Sequence, residues 1–510
     1  MHLLPISRSK DLVNWTYMGD VFESMPPWMA SDGGLWAPDI QYFNGKYYLY
    51  YSAWNTRAGG SAIYVATSDT PTGPWTAYPS PVVEPSLSEC CRGGYRWTID
   101  SYIVQDGERR YIFFGSFNGG LSARVLSPDG LSSSKETEVQ ISLPDRYEAS
   151  YVTKRDGYYY LFVSAGDCCM GALSGYQVFA GRSLSPLGPY LDKDGDSLLD
   201  VRVGGTPVLT TNGNRWVGPG HNAVLTDAAG QDWMIYHAID VDKPYFAGSW
   251  TRRPVLMDPI DWVDGWPRVR GGAGPSHSLQ PAPTTDPGAP NQRTVSVRGP
   301  EVPGEMRANL SDEFTGSALS AQWTWLRRPD ASSYDIREGV FRFASQTGSL
   351  YVDRYDGSVL LQPEPAGEYM VEVKVRTDVP LTGRHNFVQS GIVVFKDDNN
   401  YVKLVNVAIN NTRQIEFGKQ AGTKPPGSSR YGSTYVTSPK DETYLRIVKR
   451  MNAAGEELYT AYSSRDGKEW ERGGTWTHTL GPAARIGLVS MGGTGFNAYF
   501  DYVRVFELSK

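Results

Sequence analysis

Short runs of aromatic and β-branched residues, each bounded by Gly, Asn or Asp, recur along the whole chain and predict strands. No stretch longer than about ten residues carries a helical period of apolar positions, so both halves read as all-β. One pattern repeats in the N-terminal half. A turn followed by an aromatic strand occurs as NGKYYLYYS from Asn44, DGERRYIFFGS from Asp106, DGYYYLFVS from Asp156 and GQDWMIYHA from Gly230. Copies spaced by a few tens of residues, with several strands per unit, predict propeller blades.

A second short strand precedes each turn and opens on a polar residue. These residues are Asp39 in WAPDIQYF, Asp100 in TIDSYIV, Glu148 in YEASYVT and His221 in GPGHNAVL. Each lies at a similar distance from its turn glycine (Gly45, Gly107, Gly157, Gly230). If the innermost strand of each blade lines a central channel, the three carboxylates and the histidine are expected at one mouth. The opening segment, LLPISRSKDLVNWTYMGDVF, reads as the outer part of a further blade.

The repeat stops near residue 270. Residues 271–308 are rich in Pro, Gly, Ser and Thr and read as a linker, dividing the chain into residues 1–270 and 309–510. A length of 510 residues agrees with two or more domains. The net charge of −6 argues against a nucleic-acid partner, and the absence of an apolar run of about 18 residues argues against a membrane span. No signal peptide is visible, since Pro5, Arg8 and Lys10 interrupt the start. The aromatic share of 13% fits β-rich cores and also sugar binding, because the apolar face of a pentose ring stacks on an aromatic ring. Four cysteines form two adjacent pairs, Cys90–Cys91 and Cys168–Cys169, without zinc spacing. Bridges across the pairs and free or half-paired thiols all remain open.

Paired carboxylates suit glycoside hydrolysis, in which an acid protonates the leaving oxygen and a second carboxylate activates water or attacks carbon. The acid must keep its proton near neutral pH, which burial or a neighbouring charge achieves. Asp100 and Glu148 on adjacent blades fit such a pair. A strand-start Asp also commonly caps a turn, and a lone His commonly packs in a core. Trp36 is a sugar-platform candidate, and His237, inside an aromatic strand, reads as packing.

With these residues in hand, the N-terminal domain closely resembles glycoside hydrolase family 43, the five-bladed group of arabinanases, arabinofuranosidases and β-xylosidases. The segments that carry the resemblance are SRSKDLVNWTYMGDVF, LWAPDIQYFNGKYYLYYS, WTIDSYIVQDGERRYIFFGS, YEASYVTKRDGYYYLFVSAGDCCMG, VFAGRSLSPLGPYLDKDG and GPGHNAVLTD with WMIYHA. The resemblance implies that Glu148 is the general acid, that Asp100 tunes its pKa, and that Trp36 and Asp39 line the substrate site. It implies that Arg253, with Arg252 as the competing assignment, stands near the pair. It also implies that His221 is a channel histidine that can hold Ca2+, often with waters. Ser150 replaces the proline usual after the acid. The family's base is an Asp on the first inner strand, ahead of the SKDLVNW motif, and residues 1–9 cannot supply it, so a truncated start is expected. The implied reaction is inversion, with acid and base about 6.5–9.5 Å apart.

From Asn309 onward, LSDEFTGSALSAQWTWLR, SGIVVFKDDNNYVKLVNV and NAYFDYVRVFELSK predict a jelly-roll sandwich. It resembles the concanavalin A-like, laminin-G-like domain that follows family 43 propellers. Trp323, Trp325 and Tyr401 offer either stacking surfaces or core packing. The domain is expected either as a tethered module or packed on the propeller. The expected function is hydrolysis of arabinofuranosyl bonds in plant cell-wall arabinan or arabinoxylan, by an exported monomer. β-Xylosidase activity and a non-catalytic carbohydrate-binding propeller are the alternatives.

Overall fold

The computed structural model describes residues 2–91, 93–247, 250–291 and 293–509. Their regular structure is almost all strand. Four sheets follow one another, each built of four antiparallel strands paired in sequence order. The first contains β3 (Met29–Phe43), β4 (Lys46–Thr56), β5 (Ala62–Ser68) and β6 (Thr76–Ala77), after a two-stranded sheet of β1 (Pro5–Ser9) and β2 (Trp15–Asp20). The second contains β7 (Tyr102–Asp106), β8 (Arg109–Ser116), β9 (Gly120–Leu126) and β10 (Ser133–Gln140). The third contains β11 (Glu148–Arg155), β12 (Tyr158–Ala165), β13 (Gln177–Ser183) and β14 (Thr206–Leu209). The fourth contains β15 (Trp216–Thr226), β16 (Asp232–Asp240), β17 (Val255–Val263) and β18 (Trp266–Val269).

This is a propeller-like arrangement of four blades, with β1–β2 as a separate two-stranded sheet ahead of the first; the expected fifth blade is not seen among the described residues. The β1–β2 sheet is anchored through Leu4 and Val21, which share a core with Leu49, Tyr51 and Tyr64 of the first blade. The aromatic strands predicted from the repeat are β4, β8, β12 and β16. Their alternation of large apolar residues fills the spaces between blades: Phe113, Leu121, Tyr147, Leu161 and Phe179 form one such core. Among the described residues, no helix is long and apolar enough to cross a membrane.

The C-terminal part is a sandwich in which an eight-stranded sheet faces a seven-stranded one. Trp323 and Tyr401 belong to its interior, and Trp325 packs on Tyr334 and Phe343, so these aromatics serve packing.

The sandwich is docked on the propeller. Val217 and Ile239 of the fourth blade belong to the sandwich core itself. Two glycines permit backbone-to-backbone approach: a Cβ on Gly175 would lie 1.7 Å from the Ser433 carbonyl oxygen, and one on Gly432 would lie 1.9 Å from that of Leu173. Arg146 crosses the junction. Its Nη1 donates to Gln414 Oε1 at 2.7 Å, and its guanidinium lies over Tyr435 (4.1 Å) and Phe179 (4.7 Å). Lys440 Nζ meets Asp196 at 2.6 Å, and Lys193 and Arg268 both meet Glu471.

The Pro-rich stretch is held down as well. Arg293 makes a two-pronged bond to Asp261 (2.5 and 2.6 Å), Thr284 bonds Asp227 and Ala228, and the Arg298 amide donates to the Gly271 carbonyl. The stretch therefore runs along the fourth blade as a strap.

A shared core predicts one cooperative unfolding transition for both parts. Replacing Arg146 with Ala removes a buried charge-assisted bond and its aromatic contacts. It is expected to cost about 2–4 kcal/mol, read as a lower denaturant midpoint. Two separate transitions in the unmodified chain would show that the docking does not couple the domains.

Candidate active site

The site is shaped by a kink repeated on the first strand of each blade. Ala37, Asp100, Ala149 and His221 all have left-handed backbones, with φ of 41°, 58°, 57° and 49°. Such a conformation costs a non-glycine residue about 1–3 kcal/mol and persists only where surrounding bonds impose it. Three of the kinks coincide with breaks in the strand ladder, between Trp36 and Asp39, Glu148 and Tyr151, and Gly220 and Ala223.

Serines on the second strands impose part of the geometry. Ser52, opposite Trp36, accepts the Asp100 amide through its Oγ at 2.9 Å, and Ser164, opposite Glu148, accepts the His221 amide at 2.9 Å. Ser116 Oγ donates to Glu148 Oε2 at 2.7 Å. Each second strand thus reaches the next blade's first strand at the level of the kink.

The kinks correct one expectation. Counting from them, Asp39 is the counterpart of Tyr102 and Tyr151, two residues past the kink, and not of Asp100. Its carboxylate accepts from Gln41 Nε2 (3.1 and 2.9 Å) and from the Ile103 amide (3.1 Å), which ties the first blade to the second. Burial raises its pKa to about 7 against these bonds. Its charge acts on Tyr50, Tyr102 and Tyr151. The structure therefore brings Asp100, Glu148 and His221 together and places Asp39 in a separate layer among tyrosines.

Asp100 is buried, whereas Glu148 is half-buried. Burial, and next the Glu148 charge, push the Asp100 pKa well above the carboxylate range; the Ala149 amide and the Arg253 charge oppose the shift. Glu148 accepts a second bond from Tyr176 OH at 2.6 Å. The Tyr176 ring stacks on His237 (5.5 Å, 8°). Burial holds the pKa of both histidines down, that of His237 to about 3, so both rings are neutral at pH 7. The Arg253 charge acts on Asp100, His221 and His237, whereas that of Arg252 acts on Asp240, so Arg253 is the arginine facing the pair.

Trp36 is 45% exposed and stacks on Trp54 at 4.9 Å and 14°. Each cysteine pairs with its own neighbour, as Cys90–Cys91 and Cys168–Cys169. The second pair sits in the loop leading to Tyr176 and is fastened by Thr251 Oγ1 donating to the Cys169 carbonyl at 2.8 Å.

Among the described residues, no group of three or more His, Cys, Asp or Glu side chains forms a metal cage. A different donor set stands next to His221. Ser101, Ser150 and Asn222 each follow a kink on successive first strands. Ser101 Oγ, Ser150 Oγ and both amide atoms of Asn222 are buried without a partner among the described residues. Unpaired buried polar atoms call for water or an ion. Asn222 adjoins His221, and the residues fit a hydrated cation that His221 would hold.

Sequence reasoning missed Tyr176, Trp54 and the serines. The serines had a signal: the first three copies of the aromatic repeat end on Ser52, Ser116 and Ser164, and the fourth carries His237 there. Tyr176 had none, since it follows an irregular loop.

The sequence is similar to those of several named proteins. The chain is 33% identical over 290 residues to an extracellular exo-α-(1→5)-L-arabinofuranosidase of Cellvibrio japonicus, covering 52% of this chain and 80% of that protein. It is 33% identical over 277 residues to an extracellular endo-α-(1→5)-L-arabinanase of Bacillus subtilis, covering 52% and 79%. A solved α-L-arabinanase of Cellvibrio cellulosa aligns at 31% identity and a TM-score of 0.45, covering 52% of this chain and 88% of that one. Residues 311–505 match the family described as the β-xylosidase C-terminal concanavalin A-like domain. Residues 1–267, just over half of the 510, match the model of glycosyl hydrolases family 43, and the chain belongs to that family of glycoside hydrolases.

Proposed function

We propose that the protein cleaves α-L-arabinofuranosidic bonds of arabinan or arabinoxylan outside the cell, with inversion at the anomeric carbon. The observation that carries this reading is the Asp100–Glu148 pair, in which the enclosed carboxyl is pushed toward its protonated form and the reachable one is aimed by two hydroxyl donors. The names of the two curated relatives support arabinofuranosyl substrates and an extracellular location.

In this reading Glu148 gives the proton to the leaving oxygen, because it is the carboxyl that substrate can reach. One negative charge on the Asp100–Glu148 pair disfavours a second, so a proton stays with the two carboxyls. Ser116 and Tyr176 fix the two Glu148 oxygens in place. Arg253 balances the charge of the site, and Trp36 offers a stacking face. A Ca2+ at the blade axis would be held by His221, with Ser101, Ser150 and Asn222 on its waters, and would supply fixed positive charge beside the pair. The base is assigned to none of these residues. Family resemblance puts it on an inner strand of the blade represented here by β1–β2. His237 supports that placement: it is the register counterpart of Ser52 and Ser164, and both its ring nitrogens lack a partner among the described residues. β-Xylosidase activity is the second reading, favoured by the C-terminal domain's match to the β-xylosidase type.

Two outcomes are expected. The chain should hydrolyse aryl arabinofuranoside faster than aryl xyloside and release the inverted anomer, followed by NMR. Glu148→Gln in that chain should lower kcat by about 10²–10⁴. Faster xyloside hydrolysis would favour the second reading, and an unaffected kcat would remove Glu148 from the acid's role. The second outcome concerns Asp39. A carboxyl whose pKa is raised on folding from about 4 to about 7 stabilises the fold below about pH 4 and loses that contribution as pH rises to about 7. The stability difference between unmodified protein and Asp39→Asn, read from denaturant midpoints, should therefore shrink steadily over that window. A constant difference would mean that Asp39 does not titrate there.

A further inference from the structure

Trp97 stands three residues before Asp100 and is 38% exposed. Its backbone is fixed on every side. The Trp97 amide donates to the Asn118 carbonyl at 2.8 Å. On one flank, Arg96 is buried and bonds Glu138 at 2.7 Å and the Gly120 carbonyl at 3.1 Å. On the other, the Thr98 amide donates to Ser61 Oγ at 2.8 Å. Tyr95 lies flat against Gly59 and Gly60, where a Cβ would come within 2.6–2.8 Å of its ring. A large aromatic ring left in water on a rigid backbone gains nothing for the fold, and such surfaces mark binding sites.

The ring is also continuous with the site. Trp54 stacks on Trp36 and meets Trp97 edge-on at 5.4 Å and 89°. Phe117, 41% exposed, adjoins Ser116, which donates to Glu148. Apolar faces thus run outward from the catalytic pair over the first and second blades.

We propose that Trp97 is a distal sugar-binding platform for the arabinofuranosyl chain, one or more residues away from the bond that is cut. Trp54 braces it and turns its face about a right angle from that of Trp36. A chain that curves, as a furanose polymer does, can stack on both faces, whereas a short substrate reaches only Trp36. The platform therefore selects for chain length. This proposal rests on the arabinan reading for its ligand.

The test uses the full chain with Glu148→Gln, so that oligosaccharide stays intact, and reads Kd by calorimetry for arabinohexaose and arabinobiose. Trp97→Ala should weaken the hexaose roughly tenfold and the biose less than about twofold, and Trp97→Phe should recover part of the loss. Trp15→Ala, an exposed tryptophan on β2, should change neither value. Equal losses on both ligands, no loss on the hexaose, or no binding of the hexaose before substitution would each overturn the platform. Hydrolysis of arabinan by protein with Glu148 in place is scored separately. A length-dependent loss without hydrolysis leaves the platform standing and removes the arabinan reading. Hydrolysis without a length-dependent loss does the reverse.

Discussion

A single interblade contact sets the site: a hydroxyl on the second strand of one blade accepts the kinked amide on the first strand of the next. Ser52 holds the Asp100 amide and Ser164 holds that of His221. Each kink forces a left-handed backbone, which extended strand pairing alone would not select. The amide freed from the ladder at the kink is buried and needs an acceptor, and the serine supplies it. With the kink in place, the Asp100 side chain is turned toward Glu148. The enclosed surroundings of that kink then push the Asp100 pKa upward.

The sandwich takes part in the same arrangement from the other side. Tyr176, which donates to Glu148, ends a loop that passes under the strand Tyr431–Tyr435. That loop is fixed by the close approach of Gly175 to Ser433, and by Gln177 donating to the Tyr435 carbonyl at 2.9 Å. Arg146, two residues before the acid, is clamped by Gln414 and Tyr435. Glu148 is thus held by contacts that start in the second domain. The charge of Glu416, on the sandwich, also reaches Asp167 beside the cysteine pair, where burial, Glu416 and Glu148 together raise the carboxyl's pKa. The C-terminal domain therefore contributes to the position of Glu148 and to the charge around Asp167.

Much of this was legible in the sequence because it rests on local periods. Alternating aromatic strands and turn glycines give the blades, and the composition break near residue 270 gives the two domains. What escaped depends on register and on contacts between distant segments. Counting residues back from the turn glycines aligned Asp39 with Asp100, but the kink inserts an offset that a residue count does not carry. The Pro-rich stretch reads as a tether because its composition does not show that Arg293 will find Asp261. Trp323 and Tyr401 are indistinguishable by type from sugar platforms, and only their burial assigns them to the core.

The fourth blade shows how far the repeat determines chemistry. His237 occupies the register of Ser52 and Ser164, facing Gly220 across the ladder. A serine at this point of the repeat accepts a kinked amide, as Ser52 and Ser164 do, or donates to a carboxylate, as Ser116 does. An imidazole offers two ring nitrogens, and His237 is kept neutral by burial and by the nearby Arg253 charge. Two buried ring nitrogens without a partner among the described residues call for water or another polar group beside the ring. Tyr176 stacks on the same imidazole while bonding Glu148. A group bonded to His237 would therefore act on Glu148 through one intervening ring.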